Sequence, residues 1–129
     1  MSTLILIFFL HFIADFILQP YWMKIQKSRR AVVMIFHIAI YIIILFFGLA
    51  MFIEPLNALA FALVNGAIHL CIDWGSSRII SGSSRDLKVR DGPEPLYERV
   101  DMYVPIIFLG IDQLLHHISL IATWHYLLQ

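Results

Sequence analysis

The stretch Asn65-Gly66-Ala67-Ile68-His69-Leu70-Cys71-Ile72-Asp73 decides the fold, because it sets a polar stripe into an apolar segment. Residues four apart share one face of a helix, so this stretch stacks an amide, an imidazole and a carboxylate along one side. The segment around it, from 57 to 74, is mostly Ala, Leu, Ile, Val and Phe. Polar residues inside a membrane helix are rare and usually face the bundle interior or a functional cavity. We therefore predict a membrane helix whose polar face meets those of other helices.

The composition favours a membrane protein. Of the 129 residues, 60% are hydrophobic, and the mean hydropathy is +0.83. Soluble domains are about half apolar, and one of this size cannot bury so many apolar side chains. The formal net charge is zero, and all nine Lys and Arg residues lie within 24–30 or 78–99. So few basic residues, all beside apolar segments, do not indicate nucleic-acid binding.

Four apolar segments predict four transmembrane helices in one domain. Their predicted bounds are 3–19, 31–53, 57–74 and 103–128. We expect residues 75–102 to form one long cytoplasmic loop, because they are rich in polar residues and contain the helix-breaking stretch Gly92-Pro93-Glu94-Pro95. The predicted fold is therefore all-α, an integral-membrane bundle of four transmembrane helices.

The basic residues predict the orientation in the membrane. Cytoplasmic loops carry an excess of Lys and Arg, and the linkers at 24–30 and 78–99 hold all of them. Both linkers should face the cytoplasm of a bacterial inner membrane, which places both termini outside. The N-terminal segment lacks a basic region and a small-residue cleavage site, so we expect it to be retained as a helix.

Histidine and aspartate recur on all four predicted helices. They are His11 with Asp15, His37, His69 with Asp73, and Asp112 with His116. A spacing of four places both members of each pair on one helix face. A carboxylate near a membrane-helix centre costs about 2.5–3.5 kcal/mol on insertion scales, so these groups should contact one another or a bound cation. The sequence thus predicts a shared polar His/Asp site in the cytoplasmic half of the bundle.

Neutral imidazoles and carboxylates form a ligand set suited to zinc and other divalent metals. We expect a divalent metal, zinc first, with ligands drawn from His11, His69, Asp73, Asp112 and His116. The two aspartates of this set either complete the metal shell or orient its histidines. Asp15 is the predicted general base for a metal-bound water, and His37 a fourth ligand or an oxyanion stabiliser. Hydrogen bonds to the site are expected from three amides, Gln19, Asn65 and Gln113.

Motifs on all four segments resemble the domain of unknown function 3307 family. They are His11-Phe-Ile-Ala-Asp15-Phe-Ile-Leu-Gln19, then His37, His69-x3-Asp73-Trp74 and Asp112-Gln113-x2-His116. The resemblance implies a small integral-membrane protein of bacterial or phage origin, and it carries no activity. Members often have a lysine shortly after the Asp-Trp pair, whereas here the first basic residue is Arg78. A looser similarity, to membrane hydrolases that hold zinc between helices through His and Asp, implies cleavage of lipid amide or ester bonds.

Three functions stay open from the sequence. The first is a metal-dependent hydrolase acting on a lipid or other amphiphile at the cytoplasmic leaflet. The second is an ion, proton or small-solute transport component, which also needs polar residues in the outer half. The third is a non-catalytic membrane interaction protein, such as one encoded by a phage, in which polar groups only hold the helices together. A homo-oligomer is compatible with so small a bundle.

Overall fold

The computed structural model describes residues 3–20, 22–23, 30–87 and 94–129, with side chains omitted for 79–87 and 94–106. Within these ranges the ordered elements are helices, and no strand is present. They are α1 (Thr3–Phe12), a π-helical turn (Ile13–Ile17), α2 (Ala31–Ala50), α3 (Pro55–Leu87) and α4 (Glu94–Leu128). The prediction of an all-α fold is confirmed for the described residues.

The predicted loop over 75–102 is wrong for 75–87 and 94–102, because the two helices that flank it are longer than expected, and residues 88–93 lie outside the described part. α3 continues to Leu87, and α4 begins at Glu94. The hydroxyls of Ser76 and Ser77 donate to backbone carbonyls three residues earlier, at 3.3 and 3.0 Å. A serine that satisfies its hydroxyl in this way is compatible with a helix. The polar composition of the stretch therefore does not end α3.

The stretch Gly92-Pro93-Glu94-Pro95 falls only partly within the described residues. Gly92 and Pro93 lie outside them, whereas Glu94 and Pro95 belong to the first turn of α4. Proline is tolerated in a first turn because the N–H that it lacks has no helical partner there. Pro95 thus belongs to the start of a helix and not to a long loop.

The turn between α2 and α3 lies earlier in the chain than predicted. α2 ends at Ala50 and not at 53, and α3 begins at Pro55 and not at 57. The Glu54 side chain accepts a hydrogen bond from the backbone N–H of Asn57 at 3.0 Å, which satisfies one free donor of the first turn. α2 packs along α3, and α3 packs along α4.

The first segment is not one regular α-helix. After Phe12 the chain forms the π-helical turn, in which the backbone N–H of Leu18 donates to the carbonyl of Ile13 at 2.9 Å. π-helical turns are rare and occur frequently at functional sites. This one carries Asp15, which is buried.

Among the described residues, three stretches of helix are long and apolar enough to cross a membrane. They are Ala31–Ala50, Pro55–Arg78 and Ile107–Leu128, while the segment Thr3–Ile17 is apolar but shorter. Large hydrophobic side chains cover the outward faces of the helices, among them Phe9, Phe47, Leu63 and Ile118. Soluble monomers rarely expose contiguous apolar surface on this scale. These features indicate association with a membrane.

The described interior has two layers. One is an apolar core, in which Ile7, Leu45, Leu49, Phe61 and Leu120 are fully buried. The other holds the buried histidines and aspartates. Along the buried faces of the helices, most apolar residues lie toward one end and the ionisable residues toward the other. The fold therefore gathers the polar groups at one end of the bundle.

Close packing of α2 on α3 depends on Gly66. A Cβ added there would contact Cγ1 of Ile42 and come within 2.6 Å of its Cδ1. We predict that Gly66→Ala lowers the free energy of unfolding in detergent by about 1–3 kcal/mol, as overpacking does. In the double variant with Ile42→Ala, the loss should be smaller than the sum of the two single losses.

Gly110→Ala is the matched control for Gly66→Ala, because a Cβ added at Gly110 meets no atom within 4 Å. Thermal unfolding in micelles of one detergent compares all four variants. A Gly66→Ala protein as stable as the Gly110→Ala protein would show that the close approach is not required.

Candidate metal centre

All four helical segments contribute to one buried cluster of imidazoles and carboxylates. Its seven members are each 8% exposed or less: His11, Asp15, His37, His69, Asp73, Asp112 and His116. Each pair spaced by four lies on the inward face of its segment, as helical geometry requires. The structure thus brings together every ionisable residue that the sequence assigned to the site.

Four donor atoms lie at the centre of the cluster, one each from Asp15, His37, His69 and Asp73. Nε2 of His37 is 3.1 Å from Nε2 of His69 and 3.2 Å from Oδ1 of Asp15. Oδ2 of Asp73 is 3.6 Å from Nε2 of both histidines. Nε2 of His69 is also 3.6 Å from Oδ1 of Asp15. Five of the six separations among these donors therefore lie between 3.1 and 3.6 Å.

Each of these five separations suits a pair of ligands on one tetrahedral metal ion. Zinc bonds to nitrogen and oxygen measure about 2.0–2.2 Å, so two ligands of a tetrahedral zinc lie roughly 3.3–3.6 Å apart. Two imidazoles with two carboxylates are also a donor set that divalent metals accept. Asp15, His37 and His69 form one compact triad, and His69, Asp73 and His116 form a second one, with donor atoms within 4.8 Å of one another. The residues present can therefore hold a metal.

The two central histidines bring lone pairs to this point. A hydrogen bond between Nε2 of His37 and Nε2 of His69 uses a proton on only one of the two nitrogens. The nitrogen without a proton accepts this bond through its lone pair, next to the carboxylates of Asp15 and Asp73. A metal ion would take lone pairs from both rings and balance the two negative charges at once.

His116 is fixed in one tautomer by its own helix. Its Nδ1 is 2.8 Å from the backbone carbonyl oxygen of Asp112, and a carbonyl only accepts, so Nδ1 carries a proton. The Asp112 carboxylate lies near the same nitrogen, with Oδ2 at 3.6 Å. In the neutral ring, Nε2 then turns its lone pair toward Oδ1 of Asp73 at 3.9 Å. This Nε2 is buried and has no hydrogen-bond partner among the described residues.

Gln113 connects the first segment to α4. Its Nε2 donates to Oδ2 of Asp15 at 2.8 Å and more weakly to Oδ2 of Asp112 at 3.4 Å. Its Oε1 is 3.3 Å from Nε2 of His11 and must accept, so His11 donates from that nitrogen. His11 thus lies beside the four-donor set with its Nε2 engaged by an amide, and its role as a metal ligand stays a prediction.

The other two amides lie in different places. Asn65 donates from Nδ2 to the carbonyl of Phe61 at 2.9 Å, and its Oδ1 lies 2.9 Å from the hydroxyl of Thr123, whose one proton also has the carbonyl of Ser119 within reach at 2.8 Å. It bridges α3 and α4 at the border between the polar cluster and the apolar core. Gln19 is half-buried just after the π-helical turn.

Tyr41 belongs to this site, and sequence reasoning missed it. Its buried ring stacks on that of His69, with centroids 4.2 Å apart and planes inclined by 30°. It also meets the ring of His11 edge-on at 5.7 Å. The available signal was its position four residues after His37, the spacing that marks the other pairs. An aromatic residue in an apolar segment is easily assigned to packing alone.

Comparison with known proteins identifies the family. A family model described as protein of unknown function (DUF3307) matches residues 3–129, which includes every helix. The chain therefore belongs to this family, and the resemblance carried by its motifs is confirmed. No curated protein and no solved structure gives a significant match.

The bridge between Asn65 and Thr123 gives a stability prediction. Thr123→Val removes the hydroxyl that donates to Asn65 and keeps the shape of the side chain. Hydrogen bonds between membrane helices contribute about 0.6–1.7 kcal/mol, and we expect a loss of that size in the free energy of unfolding in detergent. Thr123→Ser keeps a hydroxyl and is the control. Equal stability of the Val and Ser variants would show that the bridge contributes nothing.

Proposed function

We propose that this member of the DUF3307 family is an integral-membrane, metal-dependent hydrolase that cleaves an ester or amide bond of a lipid or other amphiphile. The observation that carries the proposal is the four-donor set, in which five of the six separations are 3.1–3.6 Å and suit pairs of ligands on one divalent ion. Such an ion polarises a carbonyl and activates water at neutral pH. Zinc is the first candidate, because it accepts this mixture of imidazole and carboxylate in tetrahedral geometry.

The proposed setting is a bacterial inner membrane that all four helical segments cross. The cluster lies toward the ends of the helices marked by basic residues, with Arg30 just before α2 and Arg78 one turn after Asp73. The positive-inside rule then puts the site in the cytoplasmic half and both termini outside. Thr3–Ile17 is short for a full span, and local thinning of the bilayer accommodates short spans.

The residues divide into metal ligands and a base. Asp15, His37, His69 and Asp73 hold the metal in this proposal, so Asp15 is a ligand and not the general base. We assign the base to His116, whose Nδ1 keeps its proton on the Asp112 carbonyl while Nε2 is open to take one from water. Nε2 can afterwards return that proton to the leaving alcohol or amine.

The Asp112 carboxylate supports this assignment electrostatically. A base gains positive charge when it accepts a proton, and a carboxylate within a few ångströms stabilises that charge. Oδ2 of Asp112 is 3.6 Å from Nδ1 of His116. Asp112 therefore acts on His116 as an orienting residue, one of the two roles expected from the sequence.

Transport receives less support from the described interior. A path across the membrane needs polar groups along the whole bundle. Beyond the bridge of Asn65 and Thr123 the buried residues are apolar, and Leu45, Leu49 and Phe61 are fully buried there. Polar groups confined to one end favour a reaction on one side of the membrane. A polar network that only holds the helices together would make the same contacts but would bind no metal. The metal content of the protein therefore distinguishes this alternative from the proposal.

Metal content is the first test of the proposal. We predict that the protein purified in detergent carries about one divalent transition metal per chain, the content of a single tetrahedral site. His37→Ala removes a central donor and should lose that metal. His125→Ala is the control, because His125 is exposed and hydrogen-bonded to Gln129, far along α4. Element analysis by mass spectrometry on equal amounts of protein gives the readout.

Two outcomes of this measurement would contradict the proposal. One is wild-type protein with no stoichiometric transition metal. The other is a His37→Ala protein whose metal content equals that of the wild type.

The role of His116 gives a second test. We predict that His116→Gln keeps the metal but slows hydrolysis by about 10²–10⁴-fold, the usual contribution of a general base. Release of fatty acid from acylglycerols and fatty amides in mixed micelles measures the rate. His117→Gln is the neighbouring control, since His117 is half-buried against the ring of Phe8. Loss of metal in His116→Gln would make His116 a ligand, and an unchanged rate would remove its role as base.

A further inference from the structure

A groove opens between α3 and α4 on the outer surface of the bundle, next to the proposed metal centre. Its volume is about 270 Å³. α3 contributes Cys71, Gly75 and Ser76 to its walls, and α4 contributes Phe108 and Leu115. Small residues on one wall and large apolar ones on the other leave a slot between the two helices. A Cβ added at Gly75 meets no atom within 4 Å, so the slot is open at that position.

The floor of this groove is Asp112, the one carboxylate in its lining. Asp112 is 8% exposed, whereas Cys71 and Leu115 on the walls are exposed. Oδ2 of Asp112 faces Gln113 and His116, and its Oδ1 has no hydrogen-bond partner among the described residues. The groove thus runs from the lipid-facing surface to a buried acceptor that touches the metal cluster.

The position of the groove in the membrane indicates which kind of molecule it binds. It lies in the stretches Pro55–Arg78 and Ile107–Leu128, both apolar enough to sit in a membrane. It is also close to the exposed Trp74, whose ring lies under the guanidinium of Arg78 at 4.9 Å, as is usual for a residue pair at the membrane interface. At this depth an apolar slot is surrounded by lipid acyl chains. The polar end of an acyl chain bound in the slot would lie at the level of Asp112.

The charges around the floor select the head group. A divalent ion would balance the charges of Asp15 and Asp73 and leave Asp112 as the uncompensated carboxylate, while the described basic side chains, Arg30 and Arg78, are both exposed. A phosphate head would meet this negative field, whereas O–H and N–H groups could donate to Asp112. An uncharged head group that carries hydroxyl or amide N–H donors next to its ester or amide bond therefore fits the floor better than a phosphate.

From these observations we infer that the groove between α3 and α4 binds the acyl chain of an uncharged single-chain amphiphile and brings its ester or amide group from the bilayer to Asp112. The inference rests on the proposed hydrolase function and names its substrate class. It also gives the substrate a lateral route that does not pass through water.

Photo-crosslinking tests the groove directly. A monoacylglycerol with a diazirine in its acyl chain is added to the protein in phosphatidylcholine vesicles, and labelled peptides are mapped by mass spectrometry. We expect labelling concentrated on the α3 and α4 residues that line the groove. Gly75→Phe fills the slot and should lower this labelling by about tenfold. Below saturation the labelling is proportional to the occupancy of the groove, so both should fall by the same factor. Gly110→Phe, at an equally open position outside the groove, should leave it unchanged.

A second probe separates head-group chemistry from chain binding. Lysophosphatidic acid with the same diazirine chain carries an anionic phosphate, and it should label the groove more weakly than the monoacylglycerol. Equal labelling by the two probes would overturn the selection of an uncharged head. Labelling spread evenly over all helices, or unaffected by Gly75→Phe, would overturn the groove itself.

The wild-type chain provides a measurement that does not depend on the folding of a variant. Cys71 is the single cysteine of the sequence, and it is exposed on a wall of the groove. Monoacylglycerol in the vesicles should slow alkylation of Cys71 by a membrane-permeant maleimide in proportion to its concentration. An alkylation rate that does not change with monoacylglycerol would overturn the inference.

Metal content measured on the same samples keeps the two proposals distinct. Protein that holds its metal but shows no groove labelling refutes the lipid route and leaves the metal centre standing. Protein that shows specific groove labelling but no metal refutes the hydrolase and leaves a lipid-binding groove.

Discussion

The arrangement of the helices depends on one buried carboxylate, that of Asp15, which needs partners for its charge. Its Oδ1 faces His37 on α2 and His69 on α3, and its Oδ2 accepts from Gln113 on α4. A single side chain from the first segment thus contacts all three long helices. An unpaired charge in an apolar medium is costly, so helices that share such a group are held in one arrangement. The short first segment is tied to the bundle at this point.

The two layers of the interior have different physical roles. In a membrane, apolar side chains gain little from moving out of lipid, so packing and hydrogen bonds hold helices together. The apolar core supplies close packing through small residues such as Ala58, Ala62 and Gly66. The polar cluster supplies specific contacts that fix the register of each helix. A site built on four registered helices is rigid enough to keep donor atoms near metal-binding distances.

Much of this arrangement could be predicted, because a spacing of four reads directly as one helix face. That rule placed His69 with Asp73 and Asp112 with His116, and both pairs face the common cluster. The chemical roles of these residues could not be predicted from their spacing. Whether His116 offers Nδ1 or Nε2 is decided by a backbone carbonyl one turn earlier, which no side-chain pattern records. The continuation of α3 past Gly75 was missed because composition does not show that serines satisfy their hydroxyls within the helix.

The π-helical turn gives the first segment a property that an ordinary helix lacks. Such a turn is an α-helix with one surplus residue, and each residue of an α-helix advances the chain by about 100° around its axis. A regular α-helix over the same residues would rotate the part that follows Ile13–Ile17 by about 100° relative to the part before it. The chain length of this short segment, and not only its residue types, therefore encodes where its polar side chains point.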